Sequence, residues 1–227
     1  MDLKSVKLIL GSASPRRKKL LEELGWEIEV RVKSTNEEIP NGLVREEIAI
    51  HLAEMKASAF DGTLKQNELL ITADTIVCLR NDILNKPANE KEAQKMLGML
   101  SGNSHQVYTG VCLTMCNKRK CFYEESTVLF EALSESDIKK YIHEFRPYDK
   151  AGAYGAQECL PEGMNPCSIA EKEFLSALNL PNYLKASLDM SDKKHIPMIK
   201  EIQGSFFNVM GLPVAKLSEQ IREFIDY

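Results

Sequence analysis

The segment from Leu8 to Arg17, LILGSASPRR, constrains the fold most, because an apolar strand runs directly into the start of a helix. Ser14 is a preferred N-cap residue, Pro15 suits the first helical position, and Gly25 ends the helical run RRKKLLEEL. A helix N-terminus presents unpaired N–H groups and a partial positive charge, to which the two arginines add full charges. Because cations at this end oppose the helix dipole, the segment predicts an anion site, with a solvated basic first turn as the alternative.

Length and charge limit the class of protein. A chain of 227 residues is long enough for one large domain or for two small lobes around a shared cleft. The formal net charge of −4 argues against nonspecific nucleic-acid binding, which needs a basic face. No apolar run approaches the roughly 20 residues of a membrane span, and the first residues lack the apolar core of a signal peptide. We therefore expect a cytoplasmic protein whose partners include neither nucleic acid nor membrane.

The cysteines and histidines do not show the spacing of a zinc site, since neither a C-x-x-C nor an H-x-x-x-H pair occurs. In a cytoplasmic protein we expect all six cysteines to be reduced, packed thiols, including Cys112 and Cys121 on either side of a polar hairpin turn. His105 opens a predicted β segment. We interpret it as a locally bonded strand residue and leave it out of the catalytic set, although histidine titrates near neutral pH.

Helices and strands alternate along most of the chain, which predicts an α/β domain with a mixed sheet. The apolar run ELLITADTIVCLR, residues 68–80, is typical of a central strand buried on both faces. Apolar spacing and end signals predict further helices at residues 43–60, 89–100, 135–145 and 213–224. Further strands are predicted at residues 8–10, 26–32, 106–116 and 120–133.

Asp74 is a candidate functional residue on physical grounds alone. It follows the apolar residues Leu69, Leu70 and Ile71 in the predicted central strand. An aspartate in a buried strand is costly unless its carboxylate is paired or binds a metal. An aspartate that caps a local turn is the alternative interpretation.

Five further blocks extend the pattern that SASPRR, residues 12–17, begins. They are ITADTIV at 71–77, NKP at 85–87, SGNSHQVYTGV at 101–111, DKAGAYGAQ at 149–157 and GSFFNVMGLP at 204–213. In this order the blocks closely resemble the Maf family of nucleoside triphosphate pyrophosphatases, over residues 8–157 and 204–225. The resemblance implies one Maf-like domain over residues 1–227. It also implies a mixed, twisted sheet with flanking helices in two lobes around a cleft, as in Maf and ITPase-like proteins.

Residues 158–203 depart from the family pattern, being longer than the family usually carries there and richer in Pro, Asn and Met. We expect an atypical surface insertion within the domain, with short helices at residues 168–177 and 184–189. A substrate lid and a dimer contact are the alternatives, because long ordered loops are often functional. A homodimer is therefore left open.

The resemblance assigns the catalytic and metal-binding roles by position. It implies that Asp74 accepts the proton of the attacking water, and that Glu37 and Asp74 hold a divalent cation, Mg²⁺ or Mn²⁺. Glu37 lies 19 residues before Lys56, which lies 18 before Asp74, and this spacing favours Glu37 over the neighbouring Glu38. A triphosphate needs cations and hydrogen-bond donors as well as a metal and a base. The implied substrate-binding residues are Ser12, Arg17, Lys56 and Lys86.

Base preference is implied by Arg16, Thr75 and Gln157, which match the branch of the family that prefers dTTP and UTP. A glutamine amide pairs with both the carbonyl and the N–H of uracil or thymine. The chain departs from the family at Ala156 and Glu158, on either side of Gln157. We predict a metal-dependent pyrophosphatase that converts dTTP, UTP or modified pyrimidine triphosphates to the monophosphate. The alternatives are a 7-methyl-GTP preference and a nucleotide-binding regulator of cell division with incidental hydrolysis.

Overall fold

The computed structural model describes residues 6–36, 38–180 and 195–226. The strands of this part of the chain are β1 (Lys7–Leu10), β2 (Ile28–Val30), β3 (Glu68–Leu79), β4 (Asp82–Leu84), β5 (Ser104–Met115), β6 (Lys118–Phe130) and β7 (Ile199–Gly204). Its helices are α1 (Pro15–Glu23), α2 (Arg45–Ser58), α3 (Glu90–Leu100), α4 (Glu135–Phe145), α5 (Ala156–Cys159), α6 (Ile169–Ala177), α7 (Phe206–Met210) and α8 (Val214–Asp226). A 3₁₀ turn covers Ala151–Ala153.

The strands form one mixed sheet in the order β2-β1-β3-β5-β6-β7, with β4 paired to β3. Strand β1 lies parallel to both β2 and β3, whereas β4 and β7 run antiparallel to β3 and β6. The predicted α/β class with a mixed sheet is therefore confirmed. Strand β3 lies inside this order and is buried along most of its length, as the apolar run predicts. Strand β2 is shorter than expected, because its partner β1 has only four residues.

The chain divides into two compact units. The first contains the described residues up to Thr75, together with 108–124 and the residues from Gly211 onward; the second contains 76–107 and the described part of 125–210. The assignment of residues 1–227 to one domain with an insertion stays a prediction.

Helix α1 in the first unit begins and ends as predicted. The Ser14 hydroxyl accepts a hydrogen bond from the backbone N–H of Arg17 at 3.4 Å, and Pro15 is the first helical residue. Gly25 follows the end of the helix with a φ of +80°, a left-handed conformation that glycine adopts without strain. The strand end and the helix N-terminus are therefore joined by the short turn Gly11–Ser14.

Helix α2 packs directly on the sheet of the first unit. A Cβ atom on Gly110 of β5 would lie 2.2 Å from the backbone carbonyl of Ala49, so only glycine fits against this helix. The Thr72 hydroxyl of β3 donates to the Ala53 carbonyl at 2.7 Å. Around these contacts lies a hydrophobic cluster of buried residues, namely Ile9, Ala53, Ala57, Phe60, Leu70 and Cys112.

Two cysteines differ from the sequence-based expectation. Cys112 of β5 and Cys121 of β6 form a disulfide with a Cα–Cα distance of 4.2 Å, so the expectation that all six are reduced thiols is wrong for this pair. Their strands are neighbours in the sheet, where directly opposed residues lie close together. The other four cysteines, Cys78, Cys116, Cys159 and Cys167, take no part in this disulfide.

The segment expected to be a surface insertion contributes to the core of the second unit. Helix α6 confirms the helix predicted at 168–177, whereas the one predicted at 184–189 lies outside the described residues. Strand β7, which the sequence analysis missed, pairs with β6 over Ser126–Phe130. Met198 and Ile199 are fully buried. A surface excursion is therefore the wrong description for these residues, because they complete an edge of the sheet.

Candidate active site

Lys56 and Asp74 are brought together by the packing of α2 on β3. Side chains two residues apart on a strand share a face, so Thr72 and Asp74 both point toward α2. Ala53 and Lys56 lie one helical turn apart on α2 and meet these two residues in register. The Lys56 ammonium donates a hydrogen bond to Asp74 Oδ1. Their side chains remain 19% and 17% exposed, so this ion pair stays accessible from solvent.

Arg17 forms a second, adjoining centre. Its Nε donates to the Gly211 carbonyl at 2.7 Å, and its Nη1 donates to the Ala73 carbonyl at 2.8 Å. Nη1 also donates to Ser12 Oγ at 3.2 Å, and Nη2 donates to Thr75 Oγ1 at 3.0 Å. One guanidinium therefore joins the turn after β1, the middle of β3 and the segment between α7 and α8.

Ser12 lies in the turn between β1 and α1 and is 9% exposed. Its oxygen accepts from the Ser14 backbone N–H at 3.2 Å and from Arg17. Both contacts use lone pairs of the oxygen, and the hydroxyl hydrogen takes part in neither. The side chain therefore keeps the donor that a phosphate oxygen needs.

The side chain of Thr75 lies on the side of β3 opposite to Asp74. Its Oγ1 lies 2.9 Å from Thr109 Oγ1 and 3.4 Å from the Gly211 carbonyl, in addition to the bond from Arg17. The sequence analysis missed Thr109 and Gly211 as members of this cluster. The only signal was their position in the VYTG and MGLP blocks.

The remaining predicted site residues lie elsewhere in the chain. Arg16 is half-buried in the first turn of α1. Lys86 is exposed in the segment between β4 and α3, within the second unit. Glu37 lies outside the described residues, and the pair of Glu37 and Asp74 stays a prediction. Among the residues that are described, no group of three or more His, Cys, Asp or Glu side chains forms a metal site.

Gln157 lies in α5 of the second unit, and its side-chain oxygen is buried. Within the described part of the chain, no donor lies within hydrogen-bond distance of Gln157 Oε1. A buried acceptor without a donor costs about 1–3 kcal/mol. Tyr141 supports the same segment by donating to Glu158 Oε2 at 2.5 Å and accepting from the Gly155 N–H at 2.9 Å. The Gln157 oxygen can therefore accept a hydrogen bond from a ligand N–H.

His105 is a core residue of the second unit. Its Nε2 lies 2.8 Å from the Tyr154 hydroxyl, and its ring packs edge-on against Phe130 and Tyr154. Burial lowers the pKa of His105 from 6.5 to about 3. The imidazole is therefore neutral at pH 7, and its contacts agree with its omission from the catalytic set.

None of the described helices combines the length and the apolar character that crossing a membrane requires.

Comparison with known proteins places these residues in a family. The sequence profile of the family described as "Maf-like protein" matches residues 7–164. A protein of Parabacteroides distasonis named dTTP/UTP pyrophosphatase is 39% identical over 224 residues, which is 98% of each chain. A protein of Cytophaga hutchinsonii with the same name is 39% identical over 99% of this chain and 87% of its own. The Staphylococcus aureus Ham1 protein is similar in structure over 55% of this chain and 71% of its own, with a TM-score of 0.40 and 14% identity.

Proposed function

The chain belongs to the Maf family, and from this premise we propose that it hydrolyses dTTP and UTP to the nucleoside monophosphate and pyrophosphate. It is a nucleoside triphosphate pyrophosphatase, and its relatives of nearly the same length carry that name with dTTP and UTP as substrates. One observation carries the proposal at the level of residues. The Asp74 carboxylate, paired with Lys56, lies in the same unit as the Ser12–Arg17 turn and helix N-terminus.

We assign the proton transfer to Asp74. Water adds to one phosphorus of the α–β anhydride while the Asp74 carboxylate accepts a proton from that water. The P–O bond of the anhydride then breaks, and its electron pair leaves with the departing phosphate oxygen. Lys56 donates a hydrogen bond to this carboxylate from α2, and we propose it as a phosphate contact as well. Positioned cations and donors stabilise the charge that develops on the phosphate oxygens, and the family resemblance implies this role for Ser12, Arg17 and Lys86.

The proposed cofactor is a divalent metal cation, Mg²⁺ or Mn²⁺, because the Maf family is generally metal-dependent. Oxygen ligands suit these cations, and Mg²⁺ is commonly held by one or two carboxylates together with substrate phosphates. Asp74 fits this donor set, since its carboxylate remains 17% exposed. Glu37 is the second proposed ligand. When bound, the cation would neutralise negative charge on the phosphates.

Base recognition is assigned to Gln157, with Arg16 and Thr75 as the other specificity residues. The buried Gln157 oxygen would accept the N3–H of uracil or thymine, while the amide nitrogen donates to a ring carbonyl. A cytoplasmic location and a homodimer remain predictions from the sequence.

The test is the substitution Asp74→Asn, assayed by pyrophosphate release from dTTP and UTP with Mg²⁺ and with Mn²⁺. Loss of a positioned base is expected to lower kcat by about 10²- to 10⁴-fold, while binding of a non-hydrolysable UTP analogue persists. Asp61→Asn is the matched control, since Asp61 is an ion-paired carboxylate of the same unit whose partner is Arg119. A variant that keeps more than about a tenth of the parent rate would refute the base assignment. A parent that binds nucleotides without releasing pyrophosphate would support the regulatory alternative.

A further inference from the structure

We infer that Arg17 is a positioning residue for Asp74. Arg17 holds the residues on either side of Asp74 in the chain, Ala73 and Thr75, instead of serving as a direct phosphate ligand. This inference rests on the proposed function, because it concerns how the proposed base is oriented. It changes the role that the sequence resemblance implies for Arg17, and it follows from the acceptors that the guanidinium contacts.

The hydrogen-bonding capacity of Arg17 is largely taken up by the protein. A guanidinium carries five N–H groups in a fixed planar fork. Four hydrogen bonds, between 2.7 and 3.2 Å, go to the Gly211 and Ala73 carbonyls and to the hydroxyls of Ser12 and Thr75. A phosphate that engaged the same fork in a bidentate manner would have to replace some of these contacts.

Two of the four acceptors flank Asp74 in the chain. The Ala73 carbonyl belongs to the peptide unit that ends at the Asp74 nitrogen, so its hydrogen bond fixes the orientation of that peptide plane. The Thr75 hydroxyl fixes the residue on the other side, and Thr75 Oγ1 also lies 2.9 Å from Thr109 Oγ1. The backbone of Asp74 is thereby held on both sides.

Lys56 and Arg17 consequently have different tasks. Lys56 contacts the Asp74 carboxylate itself from α2. Arg17 holds the strand backbone that carries this carboxylate and links it to the turn after β1 through Ser12. Catalytic groups must be held close to their productive geometry, because a displacement of about 1 Å can lower a rate by about 100-fold.

Arg17→Lys separates the two roles, because it keeps the charge and removes the planar fork. A lysine ammonium is a good phosphate ligand as a point charge, but it cannot reproduce four bonds in this geometry. For a positioning residue we expect kcat for UTP to fall by about 100-fold while KM changes by less than about threefold. The dissociation constant of a non-hydrolysable UTP analogue, measured by calorimetry, should also stay within about threefold of the parent value.

A second readout tests whether Arg17 acts through Asp74. In the Asp74→Asn background, adding Arg17→Lys should lower the residual kcat by less than about threefold, because groups that act as a unit are not additive. Arg119→Lys is the matched control. Arg119 also bonds three acceptors of the first unit, Thr114, Ser58 and Asp61, but no neighbour of Asp74 in the chain, so its variant should keep the parent kcat.

If Arg17→Lys is insoluble, Thr75→Val removes a single acceptor, and we expect it to lower kcat by about tenfold with KM unchanged. An Arg17→Lys enzyme with parental kcat, or one whose analogue binding weakens more than about tenfold at nearly unchanged kcat, would make Arg17 a phosphate ligand and overturn the inference. Full additivity with Asp74→Asn would overturn it as well. A parent that releases no pyrophosphate from any triphosphate would instead remove the proposed function, and this inference with it.

Discussion

In the proposed function, base choice depends most directly on the buried side-chain oxygen of Gln157. Uracil and thymine carry an N3–H that can donate to this acceptor, whereas the N3 of cytosine is itself an acceptor. Binding of CTP would therefore leave Gln157 Oε1 without a donor, since within the described part of the chain none lies in hydrogen-bond distance. Because an unpaired buried polar atom costs about 1–3 kcal/mol, we expect kcat/KM for UTP and dTTP to exceed that for CTP by about 10- to 100-fold.

Gln157→Glu tests this assignment at the same residue. The carboxylate keeps the size of the side chain but loses the donor to the ring carbonyl and adds repulsion to the triphosphate, so the preference for UTP over CTP should erode to within about threefold. The measurement is kcat/KM for dTTP, UTP, CTP, GTP and 7-methyl-GTP. Gln94→Glu, the same change on α3, is the control. A parent enzyme that favours a purine triphosphate would contradict the pyrimidine preference.

Individual site residues differ in how far the sequence determines them. Asp74 is a candidate from the sequence because an aspartate in an apolar strand needs a partner, whereas Lys56 is a candidate only through the family resemblance and its spacing; the structure pairs the two. The partners of Arg17 could not be foreseen, because two of its acceptors are backbone carbonyls. Any residue type has a carbonyl, so Ala73 and Gly211 give no sign of this contact in the sequence.

The distance between helix α2 and the sheet depends on one residue of strand β5. Gly110 of β5 faces the backbone of Ala49, and a Cβ atom there would also lie 2.5 Å from the Ile50 nitrogen. Lys56 lies on the same helix and must reach Asp74 on β3. The distance between α2 and the sheet therefore sets the geometry of the ion pair between Lys56 and Asp74.

Gly110→Ala is expected to push α2 away from the sheet, because the clash is with backbone atoms that cannot rotate aside. We expect a loss of at least about 2 kcal/mol in the free energy of unfolding, measured with urea, since overpacking costs about 1–3 kcal/mol. A fall in kcat of about tenfold or more should accompany it. Gly98→Ala is the control: in the described structure nothing lies within 4 Å of its Cβ, and alanine favours the α3 helix by up to about 1 kcal/mol. Equal stability of the two variants would contradict the close contact.

Over the whole molecule, the alternation of helices and strands was predictable because each element carries its own signals. The central strand β3 shows a long apolar run, and the capped helices α1 and α3 show Ser14 and Asn89 at their starts. Strand β7, IKEIQG, was missed because half of its residues are charged or polar, as is common at a sheet edge. The Cys112–Cys121 pair was missed because the expected cytoplasmic location predicts reduced thiols, although the sequence placed both cysteines on either side of a hairpin turn.

The described part of residues 161–200 belongs to the second unit through contacts at several points. The buried carboxylate of Glu171 on α6 accepts from Ser205 Oγ at 2.6 Å and from the backbone N–H groups of Phe206 and Phe207 at 3.1 and 2.9 Å. It thereby satisfies the first donors of α7. The Glu131 N–H also donates to the Met198 carbonyl at 2.9 Å. The integrity of this unit therefore depends on the segment.

Replacing residues 161–200 by a short Gly/Ser linker is accordingly expected to give an insoluble protein or one with a much lower melting temperature. The deletion removes Glu171, the buried Met198 and the first residues of β7.

A smaller change tests the same contacts in a protein that folds. Glu171→Ala leaves at least two buried N–H donors unpaired and should cost about 3 kcal/mol, which lowers the Tm of a chain of this size by roughly 6–12 °C. Glu173→Ala on the exposed face of α6 should leave the Tm within about 2 °C of the parent. A stable deletion variant with parental activity, together with an unchanged Tm for Glu171→Ala, would show that the segment is a dispensable surface insertion after all.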